Sequence, residues 1–190
     1  MQDMILAEIA LYAVLALSII VLMTMLASLW LLVPYVPTPK KVVQFMINKA
    51  NLKGSETVYD LGCGDARILI VAKKKFPGIT AIGYELPIGV WLLAKFMVWK
   101  SRLNITVHMQ NYLKPDLSNA DMIFLYLVPE VMNKLRKKLD NELRPGTKVI
   151  SHGFAFPDKE PVEVERCPLP TWHIMRPPKK KGPRVYVYEW

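Results

Sequence analysis

The sequence predicts an α/β fold: a doubly wound, mostly parallel sheet with a C-terminal antiparallel hairpin, preceded by one N-terminal transmembrane helix. Three observations predict it. Residues 9–33 contain neither a charged side chain nor a proline. From Thr57 onward, short runs of β-branched and apolar residues alternate with segments of helical periodicity. A glycine-rich turn, Gly62-Cys63-Gly64, stands where the first such run gives way to the first helix.

The apolar run comes first. A hydrocarbon core about 30 Å thick needs roughly 20 apolar helical residues, and this stretch exceeds that length. A secretory signal would begin with basic residues and carry a shorter apolar core. Here Asp3 and Glu8 are the only charged side chains before Pro34. Lys40 and Lys41 follow the span and no Lys or Arg precedes it, so the positive-inside rule puts the N-terminus outside. The remaining domain then lies on the cytoplasmic or matrix-equivalent side. Trp30 and Tyr35 suit an interfacial belt. The span lacks the Arg-rich leader of mitochondrial import, which favours a prokaryotic membrane.

Three segments follow from this reading: an anchor over 1–33, a connector with an amphipathic helix over 34–55, and a folded domain over 56–190. Pro34, Pro37 and Pro39 remove backbone donors and favour extended geometry, so residues 34–39 form a short stiff link. Over 40–52, Val42, Val43, Met46, Ile47 and Ala50 recur at helical spacing. The net charge is +9, and all 25 Lys and Arg residues lie after Pro34. That asymmetry implies attraction to an anionic partner such as lipid headgroups, nucleic acid or an acidic protein face. Cys63 and Cys167 form no CxxC pair, and His108, His152 and His173 show no ligand spacing, so neither a metal site nor a disulfide framework is expected.

In the domain, residues 57–62, 79–86, 105–109, 121–127 and 147–154 read as strands, and 66–76, 87–103 and 130–143 as helices. The strands are nearly continuous apolar runs, as in a sheet covered on both faces. Residues 171–175 and the terminal 184–190 read as a hairpin closing the sheet edge. Lys73, Lys74 and Lys75 suit a helix C-terminus. Lys179, Lys180 and Lys181 fall in the hairpin link, where they would meet solvent or anionic lipid.

The turn carries the ligand chemistry. Glycines there let the backbone approach a ligand that a Cβ would exclude. A dinucleotide site would want a third glycine where Arg67 stands, and a phosphate loop would end in GK[ST], which is absent. Instead an acid, Asp60, lies two residues before the glycines, placed to meet the ammonium of an amino-acid-like cofactor. Glu85 ends the second strand, where a carboxylate accepts from two ribose hydroxyls. Leu86 beside it suits packing on adenine, and the amide of Asn111, after the third strand, suits the adenine edge. Amino acid, ribose and adenine are the three parts of S-adenosyl-L-methionine. The alanine at position 66 is expected to open the helix with negative φ.

DLGCGD followed by GYEL resembles the class I S-adenosylmethionine-dependent methyltransferases, whose sheet is Rossmann-like. A closer resemblance runs through YVPTP, VVQFM, VYDLGCGDARI, LYLVPEVM and VISHGFAFP. These are similar to the small membrane-anchored protein-lysine methyltransferases that modify the adenine nucleotide translocase and the ATP synthase c-subunit, and to their prokaryotic relatives. The resemblance implies S-adenosyl-L-methionine as cofactor, the bilayer as one partner and a protein substrate in or at the membrane as another, with no nucleic acid. Tyr126 and Glu130, at the end of the fourth strand, are the candidate acceptor-side residues: the phenol to orient an amine, the carboxylate to attract its cationic form. His152 and Phe154 are expected near the same mouth. A lipid or quinone methyltransferase and a non-catalytic cofactor-binding protein remain the alternatives.

Overall fold

The structure, a computed structural model, describes residues 2–30, 35–168 and 182–190. Residues 171–175, assigned above to one arm of a hairpin, and Lys179 to Lys181 lie outside the described residues, as does His173. Helix α1 runs Gln2–Trp30 and contains an apolar segment, Ile5–Leu26, with no part of it buried against the domain core. Helix α2 (Lys40–Ala50) opens the domain. Then follow β1 (Thr57–Leu61), α3 (Arg67–Lys75), β2 (Thr80–Glu85), α4 (Ile88–Ser101) and β3 (Thr106–Met109). The chain continues through β4 (Met122–Leu125), α5 (Pro129–Glu142), β5 (Lys148–His152), β6 (Glu163–Arg166) and β7 (Arg184–Glu189).

The seven strands form one sheet in the order β3-β2-β1-β4-β5-β7-β6. Pairing is parallel from β3 to β5, and β7 runs antiparallel to both β5 and β6. Strand order reverses between β1 and β4, so their carboxyl ends diverge into different loops and leave a crevice there.

Side-chain alternation sorts the core into two layers. Val58, Met122, Phe124, Ile150, Val185 and Val187 face one side, against Val42, Val43, Met46, Leu69 and Ala94 from helices α2, α3 and α4. Tyr59, Leu61, Ile123, Leu125, Val149, Tyr186 and Tyr188 face the other, against Met132, Leu135 and Leu139 of α5. Every strand of the expected parallel set is present.

The hairpin differs from expectation in its second arm. Among the described residues the partner of β7 is β6, four residues reading Glu-Val-Glu-Arg, which carry no apolar run to announce a strand. These acids sit on the edge strand, partly open to solvent, and Lys49 of α2 pairs with both: its ammonium donates to Glu163 at 2.6 Å and to Glu165.

The parallel strands start side by side under a tight constraint. Thr57 pairs with Thr80, and the Thr80 N–H donates to the Glu56 carbonyl at 2.9 Å. A Cβ added to Gly78 would lie 2.3 Å from the Gly54 carbonyl oxygen, a backbone atom with no rotamer to move. Gly78→Ala is therefore expected to lower stability by about 1–3 kcal/mol through forced backbone displacement. Thermal melting of the purified protein checks this; an unchanged Tm would show that the two loops are free to separate.

Candidate functional site

A cavity of about 350 Å³ opens at the carboxyl edge of the sheet, at the reversal of strand order. That size falls within the roughly 300–1,000 Å³ of small-molecule sites. Asp60, Gly62, Gly64, Glu85, Leu86, Asn111 and Tyr126 all line it. The sequence separates these residues by up to 66 positions; the parallel topology brings them to one edge because every contributing strand points the same way.

The floor is the turn after β1. The Gly62 and Cys63 N–H groups both donate to the Tyr84 carbonyl, at 2.9 and 3.0 Å, which extends the β1–β2 ladder past the end of β1. Gly62 and Gly64 take φ of 76° and 57°, in the left-handed region that favours glycine. Ala66 also lies there, with φ of 61°, as the residue before α3. The expectation of a negative φ at this position is thus corrected. The turn closes with the Ala66 N–H on the Cys63 carbonyl at 2.8 Å, and this closure imposes the left-handed twist on an alanine.

Three carboxylates gather around the turn, and their partners differ. Asp65 is paired: its oxygens accept from Arg67 Nε at 2.8 Å and from Arg67 Nη2 at 2.7 Å. Glu85 accepts from the Gly64 N–H at 2.7 Å through Oε2 and from the Leu86 N–H at 3.0 Å through Oε1. Burial raises the Glu85 carboxyl above its ordinary range, and these two backbone donors oppose the rise. Asp60 is only 2% exposed, and its Oδ2 has no hydrogen-bond partner among the described residues. Burial, reinforced by the charges of Glu85 and Asp65, pushes the Asp60 carboxyl well above its ordinary value. A buried acid left this way calls for a cation or a donor from the ligand.

That requirement tests the cofactor assignment. An amino-acid ammonium supplies what Asp60 lacks, and both glycines of the turn line the same cavity. A carboxylate offers about four acceptor positions, so Glu85 retains capacity for ribose hydroxyls beside its backbone donors. Asn111 Oδ1 already accepts from the Leu113 N–H at 2.9 Å, which leaves adenine recognition by this side chain to its NH₂.

On the acceptor side, the Tyr126 ring lies 4.1 Å from the His152 ring and 6.5 Å from that of Phe154, centroid to centroid. Phe154 lines the cavity; His152 is buried behind Tyr126 instead of lining the mouth. Its Nδ1 has no hydrogen-bond partner among the described residues, and burial lowers its pKa to about 4, so the ring is neutral at physiological pH. Glu130 sits exposed in the first turn of α5, outside the cavity lining.

Several lining residues were not among those expected at the site. Tyr35, Val36, Pro37 and Thr38, from the connector, form one wall. The Tyr35 ring covers Gly64, with Cε2 2.8 Å from where a Cβ would stand. Arg67, gripped by Asp65, donates through Nη1 to the Thr38 carbonyl at 2.9 Å and ties the connector to the glycine turn. Lys134 of α5 also reaches the cavity. The YVPTP pattern is the signal by which the connector's role was findable; its proline content pointed only to stiffness.

An acid closing β1, a second acid closing β2 and a glycine turn between them, all on a sheet whose last strand is antiparallel, define a class I S-adenosylmethionine-dependent methyltransferase. Comparisons with known proteins agree. The chain belongs to the ANTKMT methyltransferase family, whose profile matches residues 60–163, more than half of its length. A protein-lysine N-methyltransferase of Saccharolobus islandicus (strain REY15A) is 39% identical over 134 residues, covering 70% of this chain and 83% of that protein. The lysine N-methyltransferase of the ATP synthase c-subunit from Homo sapiens is 33% identical over 134 residues, covering 69% of this chain and 56% of the human protein. Among solved structures, an RNA methyltransferase from Salinibacter ruber in complex with S-adenosyl-L-homocysteine superposes with a TM-score of 0.70 at 30% identity. That match covers 81% of this chain and 93% of the other. S-adenosyl-L-methionine is accordingly the cofactor.

Proposed function

We propose that this chain is a membrane-tethered methyltransferase that modifies lysine in a membrane or membrane-associated protein, with its domain on the cytoplasmic or matrix-equivalent side. The observation that carries the reading is the connector. Tyr35, nine residues after the end of the exposed apolar segment Ile5–Leu26, begins a wall of the cofactor cavity, so the site is built close to where a bilayer would end. The archaeal and human relatives, both named for lysine methylation, support the acceptor.

S-adenosyl-L-methionine, when bound, supplies an electrophilic methyl group on a sulfonium. The chain supplies position and electrostatics. In this reading Asp60 holds the cofactor's ammonium, Gly62 and Gly64 admit its backbone approach, Glu85 takes the ribose hydroxyls, and Leu86 and Asn111 bound the adenine. A lysine ammonium has no lone pair, and with a pKa near 10.4 little of it is neutral at pH 7. Lys134 at the cavity places a positive charge where it depresses that pKa, and desolvation between Tyr126 and Phe154 acts in the same direction. Tyr126 orients the amine. Glu130, exposed at the rim, attracts the incoming cation before it sheds its proton to water.

The test is transfer of radiolabelled methyl from S-adenosyl-L-methionine into fractionated membranes, with wild type and Asp60→Ala. A discrete labelled protein band, lost in the variant and releasing methyl-lysine on hydrolysis, is the expected result. Label in the organic-solvent extract would replace this reading with a lipid or quinone acceptor. Label in nuclease-sensitive material would replace it with RNA, the acceptor named for the Salinibacter ruber enzyme.

A further inference from the structure

Helix α4 is apolar on both of its faces. Val90, Ala94 and Val98 pack into the core, and the Trp91 indole N–H donates to the Val107 carbonyl at 3.2 Å. The opposite face is left to the surroundings: Ile88, Leu92, Phe96 and Trp99 are all exposed, Phe96 by 53% and Trp99 by 74%. With roughly 100° of turn per residue, these four side chains fall within about 80° of arc. Lys95 and Lys100 flank that arc on either side, and Arg102 follows the last turn. The Phe96 and Trp99 rings lie 5.9 Å apart, centroid to centroid, and make one continuous patch. Large exposed apolar patches mark interaction surfaces. An apolar stripe with an aromatic at its end and cations along both edges has the composition of an interfacial helix.

The occupant is set by continuity with α1. Gly89, in the first turn of α4, touches Thr24 of α1 so closely that a Cβ at Gly89 would lie 2.1 Å from Thr24 Oγ1. Thr24 lies inside the apolar segment Ile5–Leu26, two residues or about 3 Å from its end at 1.5 Å rise per residue. A bilayer that surrounds α1 to the end of that segment therefore reaches the first turn of α4. We propose that the exposed face of α4 lies in the bilayer interface as a second membrane contact, with Ile88, Leu92, Phe96 and Trp99 among the acyl chains and Lys95, Lys100 and Arg102 at anionic headgroups. The inference rests on the reading of α1 as a membrane anchor. It adds orientation: one helix tethers the domain, and a second contact stops it swivelling, which holds the cavity mouth at a fixed height above the bilayer.

The test places a photoreactive benzoylphenylalanine at one position at a time in the full-length chain, reconstituted in vesicles of phosphatidylcholine and phosphatidylglycerol. The positions are Leu15 in α1, Phe96 in α4, and Val164, exposed on β6 at the far edge of the sheet. Lipid adducts at position 96 are expected within about threefold of those at 15, and roughly tenfold above those at 164, as for a face buried at the acyl boundary. Adducts at 15 with position 96 no better than 164 would overturn the α4 contact and leave the anchor standing. No lipid adducts at either 15 or 96 would overturn the anchor reading and this one with it. Protein–protein adducts at 96 in place of lipid adducts would assign the face to a second copy of the chain and overturn the proposal.

Discussion

Replacing Asp60 with asparagine is expected to stabilise the cofactor-free protein and to cripple cofactor binding. The two effects share one cause. Asp60 is buried, its Oδ2 lacks a hydrogen-bond partner, and Glu85 and Asp65 add negative charge nearby. The native state therefore resists its ionisation, while the unfolded chain ionises it freely above the ordinary carboxylate pKa of about 3.9. The unfolded state then binds fewer protons than the native one, so the Asp60 contribution to stability falls as pH rises from that value toward the raised native pKa. An amide does not ionise and escapes this loss. Asp60→Asn should thus match wild type near pH 4 and exceed it in stability at pH 7, by a margin that grows as pH rises through that window. Thermal melts across that pH range measure the difference. A variant less stable than wild type at pH 7 would show that Asp60 is satisfied in the free protein.

The same substitution removes the anion proposed above to meet the cofactor's ammonium. Hydrogen bonds to charged groups are worth about 1.5–3 kcal/mol, so affinity for S-adenosyl-L-homocysteine should fall about 10- to 100-fold. The raised pKa adds a signature that a merely structural residue would not show. Binding to wild type should release a proton from Asp60 below its raised pKa, and affinity should strengthen with rising pH; in Asp60→Asn both effects should vanish. Calorimetry in two buffers of different ionisation enthalpy reads the proton directly.

Such a site was legible in the sequence wherever chemistry forced a residue type. Gly62 and Gly64 take backbone angles that disfavour a side chain, and Asp60 and Glu85 lie at the ends of adjacent parallel strands, so their meeting at one cavity follows from local pattern plus topology. The parallel sheet was legible for the same reason, because strands buried on both faces must read as apolar runs. What escaped depends on partners distant in the chain. Strand β6 is half acidic, and what makes it a strand is its ladder with β7, about twenty residues further along, with Lys49, 114 residues away, paired to its acids. His152 has the residue type of an active-site base, yet its burial behind Tyr126 removes it from the mouth. Helix α4 shows the opposite failure. Its sequence reads only as a long helix, and the packing shows that one of its apolar faces is exposed among the described residues.

Gly64→Ala is expected to damage the site from its roof as well as its floor, and a second substitution should separate the two. A non-glycine residue at φ 57° costs about 1–2 kcal/mol. The added Cβ would also stand 2.8 Å from Tyr35 Cε2, an overlap that costs about 1–3 kcal/mol if the ring stays. The ring can leave, but it is the part of the connector that covers the turn, and its departure would loosen a junction that the Arg67 bond to the Thr38 carbonyl also holds. The variant should bind S-adenosyl-L-homocysteine about 10- to 100-fold more weakly, in line with a loss of about 1.4 kcal/mol per decade. Adding Tyr35→Ala relieves the overlap and leaves the backbone strain. The double variant should therefore be more stable than the sum of the two single changes predicts, by about 1–2 kcal/mol in a double-mutant cycle of Tm-derived free energies. Additive effects would show that Tyr35 does not rest on the turn. Coupling would tie the geometry of the glycine turn to the connector, so that whatever fixes the connector also sets the shape of the cavity floor.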